Sequence, residues 1–426
     1  METLIRVNYL IAFLFTICYL YQYFYICIAL VKKPKNYSEF TYHRFAVMIS
    51  ARNEQSVIAQ LIHSIKAQNY PAELVDVYVV ADNCTDETAA VAREAGAYVY
   101  ERFDQEKRGK GYALDYLFDQ VRTKNADTPY DGYFIFDADN LLDENYIYEM
   151  NKTFSNGYKI ITCYRNSKNY GTNWISAGYS LWFLREAKYL NNARMIMNTS
   201  CAVSGTGFLV SEEIVERNNG WHYFLLTEDI EFTIDSCIQG EKIGYCDKAV
   251  IYDEQPVTFA TSWRQRLRWA KGYLQVFQHY GKKLFLGCFK KKNFFSCVDM
   301  TMTIMPAVIL LMLCVLVNIG ALIVGLFLDS NVELLARYAV ETVRNAYLVL
   351  LAVGGITCIT EWSNINCSAV KKILYLFTFP IFLFTYIPIS LVALFKKIEW
   401  KPIDHNISIT LDEIRQSKQT KEPAQK

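Results

Sequence analysis

Tyr133-Phe134-Ile135-Phe136-Asp137-Ala138-Asp139-Asn140 is the stretch on which the reading of this chain turns. Its bulky apolar residues predict a buried strand, which stops abruptly at two carboxylates with one alanine between them. In an open α/β sheet, ligands bind just beyond the carboxyl ends of the strands, which is where Asp137 and Asp139 fall. Carboxylates so close repel each other unless a positive charge intervenes, and a hard divalent cation held on phosphate oxygens supplies one. An Asp-rich turn that merely ends a strand accounts for the same residues, so the rest of the chain decides.

Before this stretch, residues 45–49, 75–80 and 97–100 read as strands, and residues 132–136 form a fourth that ends at Asp137. Between them, Val57, Ile58, Leu61, Ile62 and Ile65 recur at helical spacing, and residues 85–95 and 111–121 read as further helices. Strands alternating with helices predict an α/β domain with a parallel, doubly wound sheet. After it the pattern is less regular, with a helix over 177–191, a glycine-rich turn at 204–207 and a helix over 228–239.

The flanks are of another kind. The composition is 52% hydrophobic and 15% aromatic, high for a wholly soluble enzyme. Residues 4–31 are almost uncharged and long enough to cross a bilayer, with Tyr19, Tyr21, Tyr23 and Tyr25 where an aromatic belt would sit. Lys32, Lys33 and Lys35 follow, so the positive-inside rule puts the next segment in the cytoplasm. Residues 263–285 form a basic, aromatic helical pattern suited to a membrane surface. Residues 305–328, 346–359 and 373–395 read as further spans, the last interrupted by Pro380 and Pro388. This divides the chain into an anchor (1–35), a cytoplasmic domain (36–260), interface helices (261–295), membrane helices (296–400) and a polar tail (401–426) expected to be mobile. One span before the domain and three after it would leave the C-terminus outside, yet Lys396, Lys397 and Lys401 favour the cytoplasm.

Charge and cysteine usage exclude several classes. Lys and Arg total 44 against 43 Asp and Glu, so nothing points to nucleic acid. The 12 cysteines are scattered without a Cys-x-x-Cys pair and read as reduced thiols; five histidines in no ligand spacing argue against a zinc enzyme.

Four more stretches share the strand-end edge or lie near it. Ser50, Arg52 and Glu54 follow the first strand, and Asp82 ends the second. Glu54 and Asp82 can accept hydrogen bonds from a base or ribose; capping by Ser50, Asn53 or Thr85 is the structural alternative. Lys107-Arg108-Gly109-Lys110-Gly111 matches neither the Walker pattern nor Gly-x-Gly-x-x-Gly, and reads as a phosphate-facing or simply basic loop. Thr227-Glu228-Asp229 opens a helix, where a carboxylate could take the proton of an attacking hydroxyl or Thr227 could merely cap.

Asp82, Asp137-Ala138-Asp139, Thr227-Glu228-Asp229 and Gln265-Arg266-Leu267-Arg268-Trp269, in this order, resemble a family 2 glycosyltransferase. More narrowly, the chain is similar to the membrane-embedded processive synthases of cellulose, hyaluronan, chitin and poly-N-acetylglucosamine, over roughly residues 45–280. The resemblance implies a GT-A domain whose Ser50, Arg52, Glu54 and Asp82 line a uridine pocket, with Lys110 near the donor. It implies that Asp137 and Asp139 hold the diphosphate of a UDP-sugar through Mg²⁺ or Mn²⁺. Asp229, beside Glu228, would be the general base. Gln265, Arg268 and Trp269 would border the diphosphate and the acceptor, with Thr227 and the Gly205-Thr206-Gly207 turn on the acceptor side. The Phe-x-Val-Thr-x-Lys gating motif of cellulose synthases is absent after Trp269, and the Ser204–Phe208 loop differs from the cellulose-synthase form. No cyclic-dinucleotide-binding domain follows, so control by such a nucleotide within this chain is not expected. The expected activity is inverting polymerisation of a β-linked polysaccharide from a UDP-sugar at the plasma membrane, with export through the chain's own spans. The alternatives are addition of one sugar to a lipid carrier or glycolipid, and a non-enzymatic membrane scaffold. Sugar identity, linkage and oligomeric state stay open.

Overall fold

In the computed structural model, residues 2–327, 332–399, 405 and 407–414 are described. The central strand is β1, Phe45–Ala51, and Phe45 through Ile49 are all fully buried. A strand covered on both faces needs a continuous apolar run, and this one feeds alternate residues to opposite sides. Ala46 and Met48 join one core with the helix Lys110–Lys124, while Phe45, Val47 and Ile49 join another with the helix Ile58–Lys66.

The remaining strands are β2 (Val75–Asp82), β3 (Tyr98–Arg102), β4 (Gly132–Asp137), β5 (Leu141–Leu142), β6 (Ile160–Ser167), β7 (Phe208–Ser211) and β8 (Ile243–Asp253). They form one sheet in the order β3-β2-β1-β4-β7-β6-β8-β5. The first four strands are parallel, as expected. The sheet is mixed beyond them: β7 runs antiparallel to both β4 and β6, and β5 antiparallel to β8. The chain reaches β7 from a loop already lying at the carboxyl edge, so the strand must run back through the sheet. That reversal sets the Ser204–Gly207 turn beside Asp137, where Gly207 N donates to Ile135 O at 2.9 Å.

The helix expected over 177–191 starts earlier, at Trp174, capped by Asn173. It continues through a π-helical turn, Glu186–Asn191, into the helix Asn192–Ile196. This segment packs against the N-terminal helix Glu2–Val31 through Tyr25, Ile26 and Ala29. Arg194, 1% exposed, holds Asp299 with two bonds of 2.7 and 2.8 Å. Removing one partner of such a buried pair costs about 3–5 kcal/mol, so it ties the α/β domain firmly to the helix Phe294–Ile304.

By length and composition, three helices among the described residues are able to cross a membrane: Arg6–Val31, Ala336–Thr360 and Ala369–Phe395. The helix Pro306–Phe327, 22 residues long, pairs with the N-terminal one through reciprocal Asn8–Asn318 amide bonds of 3.0 and 2.8 Å. The last apolar segment divides into Ala369–Phe384 and Tyr386–Phe395. Pro388 explains the break, because its ring clashes with the carbonyl four residues earlier, at Phe384. Both flanks of this segment touch the α/β domain or the helix that follows it. Asn166 Nδ2 donates to Asn364 O at 2.9 Å, Lys371 Nζ to Gly171 O at 2.7 Å, and Lys271 Nζ to Ala393 O at 3.0 Å.

The tail does not trail free where it is described. Ile409, Leu411 and Ile414 pack on Leu141 and Tyr252, and Ser56 Oγ donates to His405 O at 2.9 Å. Apolar residues scattered among charged ones provide the packing face, which a reading by overall polarity overlooks.

Candidate active site

Register explains how the acidic residues assemble. Ser50 lies opposite Asp137, and Ala51 opposite Ala81, so β1, β2 and β4 end together. Asn53 and Asn83, just past two of these ends, adopt φ of 57° and 53°, the left-handed conformation asparagine tolerates best after glycine. They turn the chain out of the sheet at the edge. Capping does not account for the polar residues here: the helix Ile58–Lys66 begins at Val57 without a side-chain cap, and the next helix begins only at Thr88.

Asp82 is 3% exposed and accepts from Arg102 at 2.5 Å, a partner that sequence reasoning missed. Glu54 is also buried, and burial pushes its carboxyl up to about 7 despite a hydrogen bond from His405. Arg52 lies beside it on the same edge.

Lys110 ties the two halves of the site together. Its Nζ donates to Asp137 Oδ1 at 2.5 Å and to Gly205 O at 2.6 Å, and stands 3.7 Å from Glu228 Oε1. Burial would lower its pKa, but Asp137 and Glu228 outweigh that and raise it, so the site keeps a cation. The flanking glycines serve the chain's own packing. Gly109 has φ of 129°, and a Cβ on Gly111 would stand 2.0 Å from Tyr223 O. Arg108, by contrast, turns to Gln105 on the exposed side.

Thr227 precedes the helix Glu228–Gln239 but makes no cap bond, and its Oγ1 is buried without a hydrogen-bond partner among the described residues. Burial raises Asp229 and pushes Glu228 up to about 7, with Lys110 opposing both shifts. Asp229 Oδ2 accepts from Gly205 N at 2.6 Å. Thr206 Oγ1 accepts from Asp137 N at 2.8 Å, so a single turn, Gly205-Thr206, touches both acidic pairs. Gly207, with φ of 67°, fits because a Cβ there would meet Ile251 and Cys163 within 2.7 Å.

The interface helix Phe259–Gly287 lies directly beneath. A Cβ on Gly272 would stand 2.5 Å from Thr227, so helix and catalytic turn are in contact. Arg268 NH1 donates to Leu226 O at 2.8 Å. Trp269 packs edge-on against Tyr179 and Phe183, at ring distances of 5.7 and 6.1 Å. Gln265 Oε1 is buried and has no partner among the described residues. Arg266 is fully buried at the helix break, donating to Phe382 O at 3.1 Å and Thr385 Oγ1 at 2.6 Å.

Asp139 is 5% exposed, and its Oδ2 accepts from Glu254 N at 3.0 Å. Burial alone would raise it, but His405, Lys168 and Arg165 hold it below the usual carboxylate range. Arg165 in turn pairs with Asp253 and donates to Ser204 O at 2.9 Å. Arg165, Lys168, Asp253 and His405 carry no motif signal. Among the described residues no group of three or more His, Cys, Asp and Glu side chains is arranged to hold a metal ion unaided. The carboxylates of Asp137 and Asp139 are hard oxygen donors that fit Mg²⁺ or Mn²⁺ when phosphate oxygens complete the shell.

The family model described as "Glycosyltransferase like family 2" matches residues 43–272, more than half of the chain. The chain belongs to this glycosyltransferase family. The glycosyltransferase is 24% identical to a beta-monoglucosyldiacylglycerol synthase of Synechocystis over 60% of its length and 53% of that protein. It is 26% identical to the probable glycosyltransferase YdaM of Bacillus subtilis, over 54% of this chain and 55% of that one. It is 24% identical to the poly-beta-1,6-N-acetyl-D-glucosamine synthase of Staphylococcus aureus, over 54% of each. The chain thus spans about half the length of the curated relatives it matches. Its fold matches the mannosyltransferase PcManGT of Pyrobaculum calidifontis, solved with GDP-Man and Mn²⁺, at a TM-score of 0.58 and 16% identity, over 90% of this chain and 96% of that one. The mixed Rossmann-like sheet is the GT-A fold.

Proposed function

We propose that this glycosyltransferase moves a hexose from a UDP-sugar, with inversion, onto an acceptor presented at the membrane surface, and that it repeats the transfer to build a β-linked polysaccharide. The observation that carries the reading is Lys110, which joins the Asp137 carboxylate to Glu228 in one ion-pair network above the interface helix. Donor and acceptor chemistry therefore share a centre. Glu54 and Asp82 accept hydrogen bonds from the nucleoside. Asp137 and Asp139 would hold Mg²⁺ or Mn²⁺, which when bound supplies positive charge to the leaving diphosphate. Lys110 is displaced from Asp137 as the donor enters and then faces the phosphates. Asp229, fixed by Gly205 N, takes the proton of the attacking hydroxyl; its raised pKa brings it closer to the pH at which a base works well. Glu228 and Arg268 set the charge around it, and Arg268 also faces the departing diphosphate. Thr227 Oγ1 and Gln265 Oε1, buried without partners, suit hydroxyls of the acceptor.

Repeated addition is supported by Gln265-x-x-Arg268-Trp269 on the interface helix and by the poly-N-acetylglucosamine synthase relative. A second reading, one sugar onto a membrane glycolipid, is favoured by the diacylglycerol-glycolipid synthase relative and by a cavity of about 160 Å³ among the membrane helices, lined by Tyr19, Gln22, Trp182, Arg185, Val353 and Phe379. Purified protein in detergent, supplied with a panel of UDP-sugars, tests both. A ladder of products supports the polymerase and one short product the glycolipid enzyme, while no UDP release from any sugar would defeat the proposal.

We place the catalytic domain in the cytoplasm at the plasma membrane. Because both flanks of the segment Ala369–Phe395 touch the catalytic side, it is re-entrant rather than crossing, which reconciles the tail with Lys396 and Lys397. A cysteine introduced beyond residue 414 should then react only with reagents applied from the cytoplasmic face; labelling from outside would refute this topology.

A further inference from the structure

The cavity of about 160 Å³ among the apolar helices holds a cation on one wall. Arg185, half-buried, ends the helix Trp174–Arg185, and its NH2 donates to Gln22 Oε1 at 2.5 Å. Its guanidinium lies 5.1 Å from the Trp182 ring. Gln22 is oriented in turn, because its Nε2 donates to Tyr21 OH at 3.3 Å and Tyr21 OH donates to Asp299 Oδ1 at 3.1 Å. The nearby carboxylates are committed elsewhere: Asp299 to Arg194, and Glu186 to Ser204 Oγ. Among the described residues no carboxylate makes an ion pair with Arg185.

A cation in an apolar cavity is costly without a counter-anion, and at membrane depth such a residue marks a binding or transport site. The depth follows from packing. The N-terminal helix is 30 residues long, and about 20 suffice to cross the hydrocarbon. Its far end is covered by the α/β domain, with Tyr25, Ile26 and Ala29 on Tyr189, Leu190 and Ala193. The bilayer therefore begins nearer Tyr19 and Gln22, which puts the cavity at headgroup level. Tyr23 and Val349 line it and are each 47% exposed, so its mouth opens sideways onto the lipid-facing surface.

We propose that this cavity binds the phosphate of an anionic phospholipid from the cytoplasmic leaflet. Arg185 supplies the counter-charge, Gln22 orients it, and the acyl chains lie outside the mouth between the helices. The inference rests on the reading that these helices sit in a membrane with the α/β domain in the cytoplasm. A planar guanidinium forks onto two phosphate oxygens, and basic pockets between membrane helices on the cytoplasmic side take anionic headgroups in this way. A neutral glycolipid in the same place would leave the charge of Arg185 uncompensated.

The test titrates the full chain in detergent with phosphatidylglycerol, phosphatidylcholine, diacylglycerol or inorganic phosphate, and counts bound lipid by native mass spectrometry. Phosphatidylglycerol should bind the wild type in preference to the two neutral or zwitterionic lipids, and about 10- to 100-fold more weakly to Arg185→Gln. It should also raise the melting temperature of the wild type and not that of Arg185→Gln. Val353→Trp, which fills the cavity and leaves Arg185 in place, should exclude the lipid as well, so the result does not hang on one variant. Phosphatidylglycerol that binds wild type and both variants equally would overturn the inference and leave the membrane reading intact. Displacement by diacylglycerol would overturn it in favour of a glycolipid acceptor in the cavity, and displacement by inorganic phosphate in favour of a soluble anion. A chain that stays dispersed without detergent and ignores lipid vesicles would overturn the inference and the membrane reading together.

Discussion

Asp82 and Asp137 stand at the ends of two parallel strands that flank β1, while Glu228 and Asp229 open a helix that reaches the same edge only through a glycine turn and the interface helix. The first pair is positioned by backbone register, which every ladder hydrogen bond reinforces. The second is positioned by contacts with the helix Phe259–Gly287 and, through it, with the apolar C-terminal helices: Gly272 on Thr227, Arg268 on Leu226 O, Arg266 on the helix break at Thr385. On the proposed reading, the donor side is a property of the sheet, and the acceptor side is a property of how the sheet is docked on the helices that follow it. Damage to the docking should spoil transfer while sparing donor binding.

The largest effect is expected from the donor side. Asp139→Asn, or excess chelator on the wild type, should abolish UDP-sugar turnover and UDP binding together; full turnover under chelation would remove the metal role from Asp137 and Asp139. Arg266→Met should come next. It strips the donor from Phe382 O and Thr385 Oγ1 in a fully buried position, an effect of about 1–3 kcal/mol. A lowered melting temperature with UDP affinity preserved is the expected result, and loss of UDP affinity in folded protein would blur the division between the two sides. Gly272→Ala should cost about 1–3 kcal/mol by overpacking against Thr227, offsetting the gain in helix propensity. Its kcat should fall more than its KM for the donor rises.

The pH profile gives a milder probe of the same contrast. Burial holds the base pair high, Glu228 at about 7, and the base must be deprotonated to accept a proton. Activity should thus fall, as pH drops, at a pH above the ordinary carboxylate range near 4. The smallest effect is expected at Arg93→Ala, whose bridge to Glu101 is exposed on the outside of the sheet and worth about 0–1 kcal/mol.

The same contrast explains what was legible in the sequence. Apolar runs ending in Ser50, Asp82 and Asp137 are local signals, and they gave the parallel half of the sheet and its edge. The start of the helix at Glu228 was legible for the same reason. The direction of β7 was not, because four apolar residues carry no sign of whether the chain arrives from the carboxyl edge or the other. Nor were Arg165, Asp253 and His405, whose partners lie far along the chain, or Arg102, and the spacing of these residues matches no pattern. The tail misled by its charge, since Ile409, Leu411 and Ile414 meet a complementary surface only in the folded domain. Lys110 was placed near the donor on resemblance, and only the fold shows it joining Asp137 to Glu228.

The division between a donor side and an acceptor side is tested most directly by Asp229→Asn. Calorimetric UDP binding and initial rates of transfer would be measured on the same preparation. The account predicts UDP affinity within about twofold of the wild type and a fall in transfer of about 10² to 10⁴ or more. Transfer that survives while UDP binding is lost would contradict it.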